Sequence, residues 1–240
     1  MLSIETKNLT KKFKEKTAVN GIELKINEGE LFALLGTNGA GKTTTIKMLS
    51  TLILPTSGEI KINGLDIIKD RQKIKEILNV SPQETAIAPN LSVKENLEFM
   101  AGVYQIPNKE EKINELVKMF KLEEVLKQKA KTLSGGWQRK VSIAIALINE
   151  PKILFLDEPT LGLDVIARKE LWKIIENLKG KITIILTTHY MEEAESLSDK
   201  IGIMAKGNLV DVGTAEELIK KAGTKNFEDA FVKIATGGEL

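Results

Sequence analysis

Cysteine is absent from this 240-residue sequence, and its absence removes several kinds of chemistry at once. Without thiols the chain has no disulfide framework, no thiolate metal site and no cysteine nucleophile. Such a composition fits a cytoplasmic protein. Histidine is nearly absent too, because His189 is the only one in the sequence.

Long hydrophobic runs are also lacking. One of the longest, Val141–Ile148, lies between Lys140 and Asn149 and falls far short of the roughly 18 residues that a membrane-spanning helix needs. The first residues, MLSIETKNL, alternate as a strand does and lack the apolar stretch of a signal peptide. We therefore expect neither a transmembrane helix nor a signal peptide.

The sequence has no marked excess of one charge, since 35 basic and 33 acidic residues give a formal net charge of +2. These charges are interspersed, so they provide no electrostatic argument for nucleic acid as the main partner. Hydrophobic residues make up 42% of the chain. That content is enough for one substantial core, or for one core with a side lobe.

The first third of the chain is predicted to form short strands. Alternating or continuously apolar segments predict them at residues 2–9, 21–26 and 31–35. Asn63-Gly64 is a strong two-residue hairpin signal between apolar segments at residues 59–62 and 65–68. Together these segments predict a small antiparallel sheet.

The middle of the chain is predicted to be helical. Ser92 and Glu95 form a capping-box pattern ahead of a helix that runs to about Val103. Asn108 and Glu111 repeat that pattern before a helix over residues 113–120. We therefore expect a helical insertion over about residues 84–148.

The last third returns to alternating strands and helices. Continuous apolar strands at residues 153–156 and 182–187, with a helix at 165–179 between them, are typical of a buried and mainly parallel sheet. Lys206-Gly207 marks a further hairpin, and Thr214 begins a capped helix. The predicted fold class is therefore α/β.

The segment GTNGAGKT fits the pattern of a phosphate-binding loop, with an apolar strand before it and a helix after it. Glycines let the backbone curl so that its N–H groups point at phosphate oxygens, and the helix N-terminus adds partial positive charge. Lys42 is predicted to neutralise the β- and γ-phosphates, and the Thr43 hydroxyl to ligate Mg²⁺. The predicted nucleotide-binding residues here are Gly36, Thr37, Asn38, Gly39, Ala40, Gly41, Lys42, Thr43 and Thr44.

Asp157 and Glu158 end a second apolar strand, where two adjacent carboxylates must face a polar site or carry a large desolvation cost. Asp157 is placed to hold Mg²⁺, and Glu158 to polarise a water for attack on the γ-phosphate. His189 follows another core strand, at the sheet edge where open α/β sheets place ligands. A lone histidine is more often structural than functional, and this position favours a functional role.

The run LSGGWQRKVSIAIAL begins with Ser134, a natural helix N-cap, followed by Gly135 and Gly136. Capping alone explains the serine and leaves the double glycine unexplained. With the phosphate loop and the Asp157-Glu158 pair, this run resembles the nucleotide-binding subunit of ABC transporters, over residues 1–225. The short tail, residues 226–240, contains FEDAFVKIATG, which resembles the closing segment of the drug-exporter subfamily.

The resemblance implies a P-loop NTPase (RecA-like) core with a mainly parallel sheet, an antiparallel β subdomain and the helical insertion. It also implies roles that the bare residues do not. His189 would contact the γ-phosphate, Gln83 would touch Mg²⁺ and the attacking water, and Phe13 would stack on adenine. The surface that completes a partner's nucleotide site would comprise Ser134, Gly135, Gly136 and Asp164. Trp137 stands where the family more often has glutamine.

By the same resemblance, the chain would use ATP and Mg²⁺ as an ATP-induced homodimer, or paired with a related ATPase subunit. It would power export of a drug-, lipid- or amphiphile-like solute by a separate integral membrane subunit, from the inner face of the cell membrane and without nucleic acid. One alternative is a soluble ABC-type ATPase, such as an iron–sulfur assembly accessory. A P-loop kinase or GTPase would leave the Ser-Gly-Gly element and His189 without a role.

Overall fold

A computed structural model describes residues 1–238 of the chain. Ten strands form within these residues: β1 (Leu2–Phe13), β2 (Lys16–Asn27), β3 (Leu31–Gly36), β4 (Ser57–Ile62), β5 (Leu65–Asp66), β6 (Leu78–Ser81), β7 (Ile153–Asp157), β8 (Thr183–Thr188), β9 (Lys200–Ala205) and β10 (Asn208–Gly213). They belong to two sheets. The smaller is antiparallel, with strand order β2-β1-β4-β5.

The larger sheet has strand order β10-β9-β3-β8-β7-β6, in which only the β9–β10 pair is antiparallel. The carboxyl ends of β3, β8 and β7 therefore lie side by side at one edge. In open α/β sheets this edge is where ligands bind. The strand order thus places the residues that follow these three strands at one location.

Helices cover the larger sheet. Between Met1 and Gly238 they are α1 (Lys42–Leu49), α2 (Arg71–Ile77), α3 (Val93–Val103), α4 (Lys109–Phe120), α5 (Gly135–Ala146), α6 (Val165–Leu178), α7 (Met191–Leu197), α8 (Ala215–Ala222) and α9 (Phe227–Thr236). Two short 3-10 turns, Glu123–Val125 and Ala130–Thr132, join α4 to α5. The predicted mainly parallel sheet, antiparallel sheet and helical segment are all present in the fold.

The core strands are apolar on both faces because both faces are covered. In β3, Leu31, Ala33 and Leu35 pack among the helices of one face. Phe32 and Leu34, which point the other way, pack against α1 and the smaller sheet. A strand with two buried faces appears as a continuous apolar run, so the segment before the phosphate loop shows no polar alternation.

The strand predictions at the N-terminus were too short. β1 continues to Phe13 and β2 begins at Lys16, with Lys14 in the left-handed region at φ 50° as part of the turn between them. This turn has no Asn-Gly or Asp-Gly pair to mark it in the sequence. The Asn63-Gly64 hairpin is present, but its second strand ends at Asp66, whose carboxylate accepts hydrogen bonds from the next backbone N–H groups.

Two capping predictions also need correction. Ser92 and Glu95 form the expected capping box at α3, and Thr214 with Glu217 forms another at α8. Asn108 occupies the N-cap position of α4, but its side chain accepts no hydrogen bond from the helix. The same is true of Ser134 at the start of α5, so capping does not account for that serine.

The residues assigned to a C-terminal tail include a packed helix. Phe227, Ala230 and Phe231 of α9 are buried. Phe227 and Phe231 join the same hydrophobic core as α7 and β9. Among residues 1–238, no helix has both the length and the apolar character needed to cross a membrane.

Candidate active site

The phosphate loop connects β3 to α1 and depends on glycine for both its shape and its packing. Gly39 and Gly41 have φ of 80° and 105°, in the left-handed half of the backbone map. A Cβ atom at Gly41 would lie 2.5 Å from the carbonyl oxygen of Ala18, so no other residue fits there without a shift of backbone. The predicted curled loop is therefore what the structure contains.

Lys42, the first residue of α1, is buried within this loop and is 5% exposed. Its Nζ donates to the carbonyl oxygens of Gly36 at 2.7 Å and Thr37 at 3.3 Å. Nζ also lies 3.3 Å from Oε1 of Glu158. The ammonium group is thus held inside the cradle that the loop forms.

Asp157 and Glu158 are buried at the carboxyl end of β7, at 4% and 6% exposure. Asp157 Oδ1 accepts hydrogen bonds from Thr187 Oγ1 at 2.5 Å and from Thr43 Oγ1 at 3.1 Å. Oδ1 is therefore hydrogen-bonded both to the phosphate loop and to the neighbouring strand β8. The two carboxylates face a polar site, as their position in the sequence predicts.

Glu158 has an unusual backbone for a non-glycine residue, with φ of 50°. Conformations of this kind cost about 1–3 kcal/mol and persist where the surroundings impose them. Here the Glu158 N–H donates to both the carbonyl oxygen and the Oγ1 of Thr187, at 3.1 and 3.0 Å. The carboxylate consequently lies between Lys42 and His189.

His189 follows β8 directly and reaches the same carboxylate from the other side. Its Nδ1 lies 2.6 Å from Glu158 Oε2, a hydrogen bond in which Nδ1–H donates. Lys42, Glu158 and His189 therefore form one continuous row of interacting groups. Residues that are far apart in sequence meet because β3, β8 and β7 are neighbours.

These groups line an open cleft of about 410 Å³. Gln83, in the segment after β6, is also on its wall, as the resemblance implies. Three further wall residues, Lys16, Ala18 and Leu161, were not predicted. The residues that line the cleft are Lys16, Ala18, Asn38, Gly39, Ala40, Gly41, Lys42, Thr43, Thr44, Gln83, Glu158, Leu161 and His189.

The backbone of Gln83 is held by Arg139, a residue of α5 that was not predicted. Arg139 is 4% exposed, and its two terminal nitrogens donate to the carbonyl oxygens of Pro82 and Gln83, both at 2.6 Å. A few residues later, the Asn96 side chain exchanges hydrogen bonds with the N–H and carbonyl groups of Ala88. The segment of residues 82–88 is therefore held near both of its ends by side chains of α5 and α3.

Phe13 lies outside the walls of the cleft, at the end of β1, and is 48% exposed. Its partner across the β1–β2 hairpin is the wall residue Lys16. The Lys11 ammonium lies 5.2 Å from the centre of the Phe13 ring. Phe13 is therefore exposed beside the cleft, where an aromatic ring can stack on a base.

Ser134, Gly135, Gly136 and Asp164 are not part of the cleft and lie on a second surface. Ser134 and Asp164 are both exposed. A side chain at Gly136 would come within 3.3 Å of Ala167 in the first turn of α6, so the starts of α5 and α6 are tightly packed. Asp164 caps α6 by accepting from Ala167 and Ile166, and these bonds lower the pKa of its carboxyl group.

Trp137 packs along α5, with the Lys140 ammonium 4.6 Å from its ring centre. Lys140 in turn pairs with Glu170 of α6 at 2.7 Å, and this pair lowers the pKa of the glutamate. The tryptophan is half-buried beside the Ser134–Gly136 segment. Its position makes it a natural optical probe of that surface.

The residues predicted to hold Mg²⁺ are suited to that ion. Thr43 Oγ1 and Asp157 Oδ1 lie 3.1 Å apart, and Gln83 lines the same cleft. Hydroxyl, carboxylate and amide oxygens are hard donors of the kind that Mg²⁺ binds, together with phosphate oxygens and water. The donor set therefore fits magnesium with a nucleotide.

Comparison with known proteins agrees with this geometry. A profile described as ABC transporter matches residues 19–161, more than half of the chain. The linearmycin resistance ATP-binding protein of Bacillus subtilis is 37% identical over 238 residues, which cover 98% of this chain and 75% of the relative.

The chain belongs to the ABC transporter family.

Two further ABC proteins extend the comparison. The human phospholipid-transporting ATPase ABCA3 is 42% identical over 226 residues, 92% of this chain, but the chain spans only 13% of that relative's length. A dimeric ATP-binding cassette in a post-hydrolysis state with ADP and Pi has a TM-score of 0.79 at 28% identity, covering 88% of this chain and 98% of the other.

Family membership confirms the predicted fold class, a P-loop NTPase core, and makes this chain an ATPase cassette of the ABC type. Thr187, Arg139 and Lys16 are among the residues that sequence reasoning missed in the cassette. Thr187 is the second-to-last residue of β8, two residues before His189, a position that could have indicated a role. Arg139 and Lys16 carry no local signal, because only the packing of distant segments brings them to the site.

Proposed function

We propose that this ABC cassette hydrolyses MgATP at the interface of a head-to-tail dimer and powers a separate membrane subunit. The observation that carries the proposal is the separation of two surfaces. Lys42, Glu158 and His189 line the cleft, whereas Ser134 and Asp164 lie exposed outside it. Two copies arranged head to tail would place the second surface of one copy over the cleft of the other.

The groups in the cleft divide the reaction between them. Lys42 binds and neutralises the phosphates in the ground state and in the transition state. Glu158 accepts the proton of the attacking water, and His189 orients the Glu158 carboxylate and contacts the γ-phosphate. Magnesium, held by Thr43, Asp157 and Gln83, would neutralise charge that develops on the phosphate oxygens.

The Ser134 hydroxyl is suited to a phosphate of the partner chain. It is exposed and accepts no hydrogen bond from its own helix, so its hydrogen-bonding capacity is available. The two glycines after it leave the positive end of α5 open to close approach. Asp164 lies beside this end, at the start of α6, and would contact the partner across the interface.

A substitution at Ser134 tests the composite site. In a Glu158→Gln background, we expect ATP to double the apparent mass in size-exclusion chromatography and to shift tryptophan emission. Ser134→Arg should block both changes, because a long cation at this glycine-lined end prevents close approach. Trp137→Phe should abolish the shift while dimerisation continues, which assigns the signal.

The matched control is Gln128→Arg, which adds the same side chain at an exposed position six residues earlier. It should dimerise as the parent does. Normal ATP-driven dimerisation of the Ser134→Arg variant would remove Ser134 from the interface.

A membrane subunit is proposed to dock beside Gln83. Ala86 borders a groove of about 780 Å³ that also includes Leu52, Tyr104 and the outer edge of β6. Leu52 is apolar and 59% exposed. A short amphipathic helix from another chain would fit a groove of this character. Movement of Gln83 on MgATP binding would then reach the membrane through this groove.

Because the chain has no cysteine, single-cysteine variants provide a direct test of docking. We expect Ala86→Cys to crosslink to a cytoplasmic loop of a co-expressed membrane subunit. Glu216→Cys, at an exposed position of α8, should not crosslink to it. Recovery of only soluble proteins with the chain from native membranes would overturn the transport proposal in favour of a soluble ABC-type ATPase.

The names of the relatives indicate which solutes to test first. One relative is a linearmycin resistance protein and another a phospholipid-transporting ATPase. Together with the C-terminal resemblance, these names support export of a drug-, lipid- or amphiphile-like solute. The partner cassette would be a second copy or a related ATPase subunit. The chain would act at the cytoplasmic face of the cell membrane. It would not bind nucleic acid as a partner.

A further inference from the structure

Helix α7 carries a buried carboxyl group that the proposed reaction does not use. Glu193 is 0% exposed, and its Oε1 accepts hydrogen bonds from Thr160 Oγ1 at 2.8 Å and from Trp172 Nε1 at 3.0 Å. Thr160 belongs to the loop after Glu158, and Trp172 belongs to α6. One oxygen atom therefore joins three separate segments of the chain.

Burying a carboxyl group this deeply costs folding free energy, because the group loses its hydration. Burial raises the pKa of Glu193, and the hydrogen bonds from Thr160 and Trp172 oppose that change. Its second oxygen, Oε2, has no hydrogen-bond partner within residues 1–238. An apolar side chain would fill the space at lower cost but would leave both donors unpaired. Glu193 is therefore useful at this position because its Oε1 accepts both hydrogen bonds.

The position of Glu193 relates this acceptor to both proposed surfaces. His189, at the cleft, lies four residues earlier and immediately precedes Tyr190, the N-cap residue of α7. Thr160 lies two residues after Glu158 and four before Asp164, in a tight turn closed by a hydrogen bond from the Leu163 N–H to the Thr160 carbonyl oxygen. The bond between Glu193 and Thr160 thus connects the histidine end of the cleft to the loop that leads to Asp164.

We propose that Glu193 is a positioning residue. Through its hydrogen bond to Thr160, it holds the loop of residues 159–163, and with it Asp164, in a fixed position relative to His189. The inference rests on the proposed function, because Asp164 is assigned to the ATP-driven dimer. Displacement of His189 by a bound γ-phosphate would then move the dimer surface through the Glu193–Thr160 bond. Glu193 itself touches neither nucleotide nor partner.

The test compares ATP-driven dimerisation in the Glu158→Gln background. We expect Thr160→Val to weaken dimerisation about tenfold, the effect of losing one hydrogen bond of about 1.4 kcal/mol, and Glu193→Ala to weaken it at least as much, because it also removes the bond to Trp172. Glu193→Gln should dimerise like the parent, because its amide oxygen can still accept from both donors. Glu195→Ala, at an exposed position of the same helix, is the matched control.

The measurements separate positioning from general destabilisation. Dimerisation is followed by analytical ultracentrifugation against ATP concentration, and ATP affinity of the monomers by calorimetry. If Glu193 acts by positioning, the variant monomers bind ATP with unchanged affinity and full stoichiometry, and only their dimerisation is weaker. Positioning also predicts that the double variant Glu193→Ala with Thr160→Val dimerises as strongly as Glu193→Ala alone, since the Glu193–Thr160 bond is already lost in that single variant.

Two results distinguish this inference from the function on which it rests. If the Glu158→Gln parent dimerises and both single variants dimerise equally well, the inference is wrong and the proposed function stands. If the parent stays monomeric with ATP, the composite site and the inference fall together. Should Glu193→Ala fail to fold, Thr160→Val decides, because it keeps the bond between Glu193 and Trp172.

Discussion

Replacing Glu158 with glutamine is expected to reduce steady-state ATP hydrolysis by about 10²–10⁴-fold, the usual loss when a positioned general base is removed. The amide keeps the shape of the side chain but cannot accept the proton of the attacking water. MgATP binding should remain within a few-fold of wild type, because Lys42 and the phosphate loop are unchanged. Phosphate release measures turnover, and calorimetry measures binding.

The matched control for this prediction is Glu195→Gln, which makes the same chemical change at an exposed position of α7. Its turnover should equal that of the wild type. A Glu158→Gln protein that hydrolyses ATP within a few-fold of the wild-type rate would exclude Glu158 as the general base. His189, which is 2.6 Å from Glu158, would then be the next candidate for that role.

Lys42→Ala should differ from Glu158→Gln, because ATP binding itself should be lost. Lys42 Nζ is the cation enclosed by the phosphate loop, bonded to the Gly36 and Thr37 carbonyl oxygens. Charge-assisted hydrogen bonds are worth about 1.5–3 kcal/mol each, so losing even one weakens affinity about 10–150-fold. Titration calorimetry with MgATP should therefore give no measurable heat of binding at micromolar protein concentration.

Lys47→Ala tests whether this loss is specific to Lys42. It truncates another lysine of α1 in the same way, at an exposed position five residues after Lys42. Its ATP affinity should match the wild type. Because Lys42 is also paired with buried Glu158, thermal melting of both variants must show a folded protein. Unchanged ATP affinity in folded Lys42→Ala protein would overturn the assignment of Lys42.

Most strands and helices could be predicted because their signals are local. The apolar run of β3 and the capping box at α3 are each contained within a few residues. The errors also have local causes. The β1–β2 turn lacks the usual turn residues, and the Asn108 side chain makes no capping bond although the sequence pattern fits one.

Residues of the site were likewise predictable where their signal is local and were missed where it is not. The phosphate loop, the Asp157-Glu158 pair and the Ser-Gly-Gly element were identified because each is a short contiguous pattern. The part played by Arg139 was not predictable, since its contacts to Pro82 and Gln83 cross more than fifty residues of sequence. Thr187 and Glu193 were missed for the same reason, because each bonds to groups on other segments.

The sequence alone determined the family and the chemical groups of the site, since phosphate binding requires particular residues at short, fixed spacings. Only the tertiary structure decided how those groups meet. The strand order β3-β8-β7 brings Lys42, His189 and Glu158 to one edge of the sheet, where Glu158 contacts both of the others. Ser134 and Asp164 lie outside the cleft, where the starts of α5 and α6 pack together. Local sequence carries no record of such long-range neighbours, because they are set by the burial of apolar faces across the whole chain.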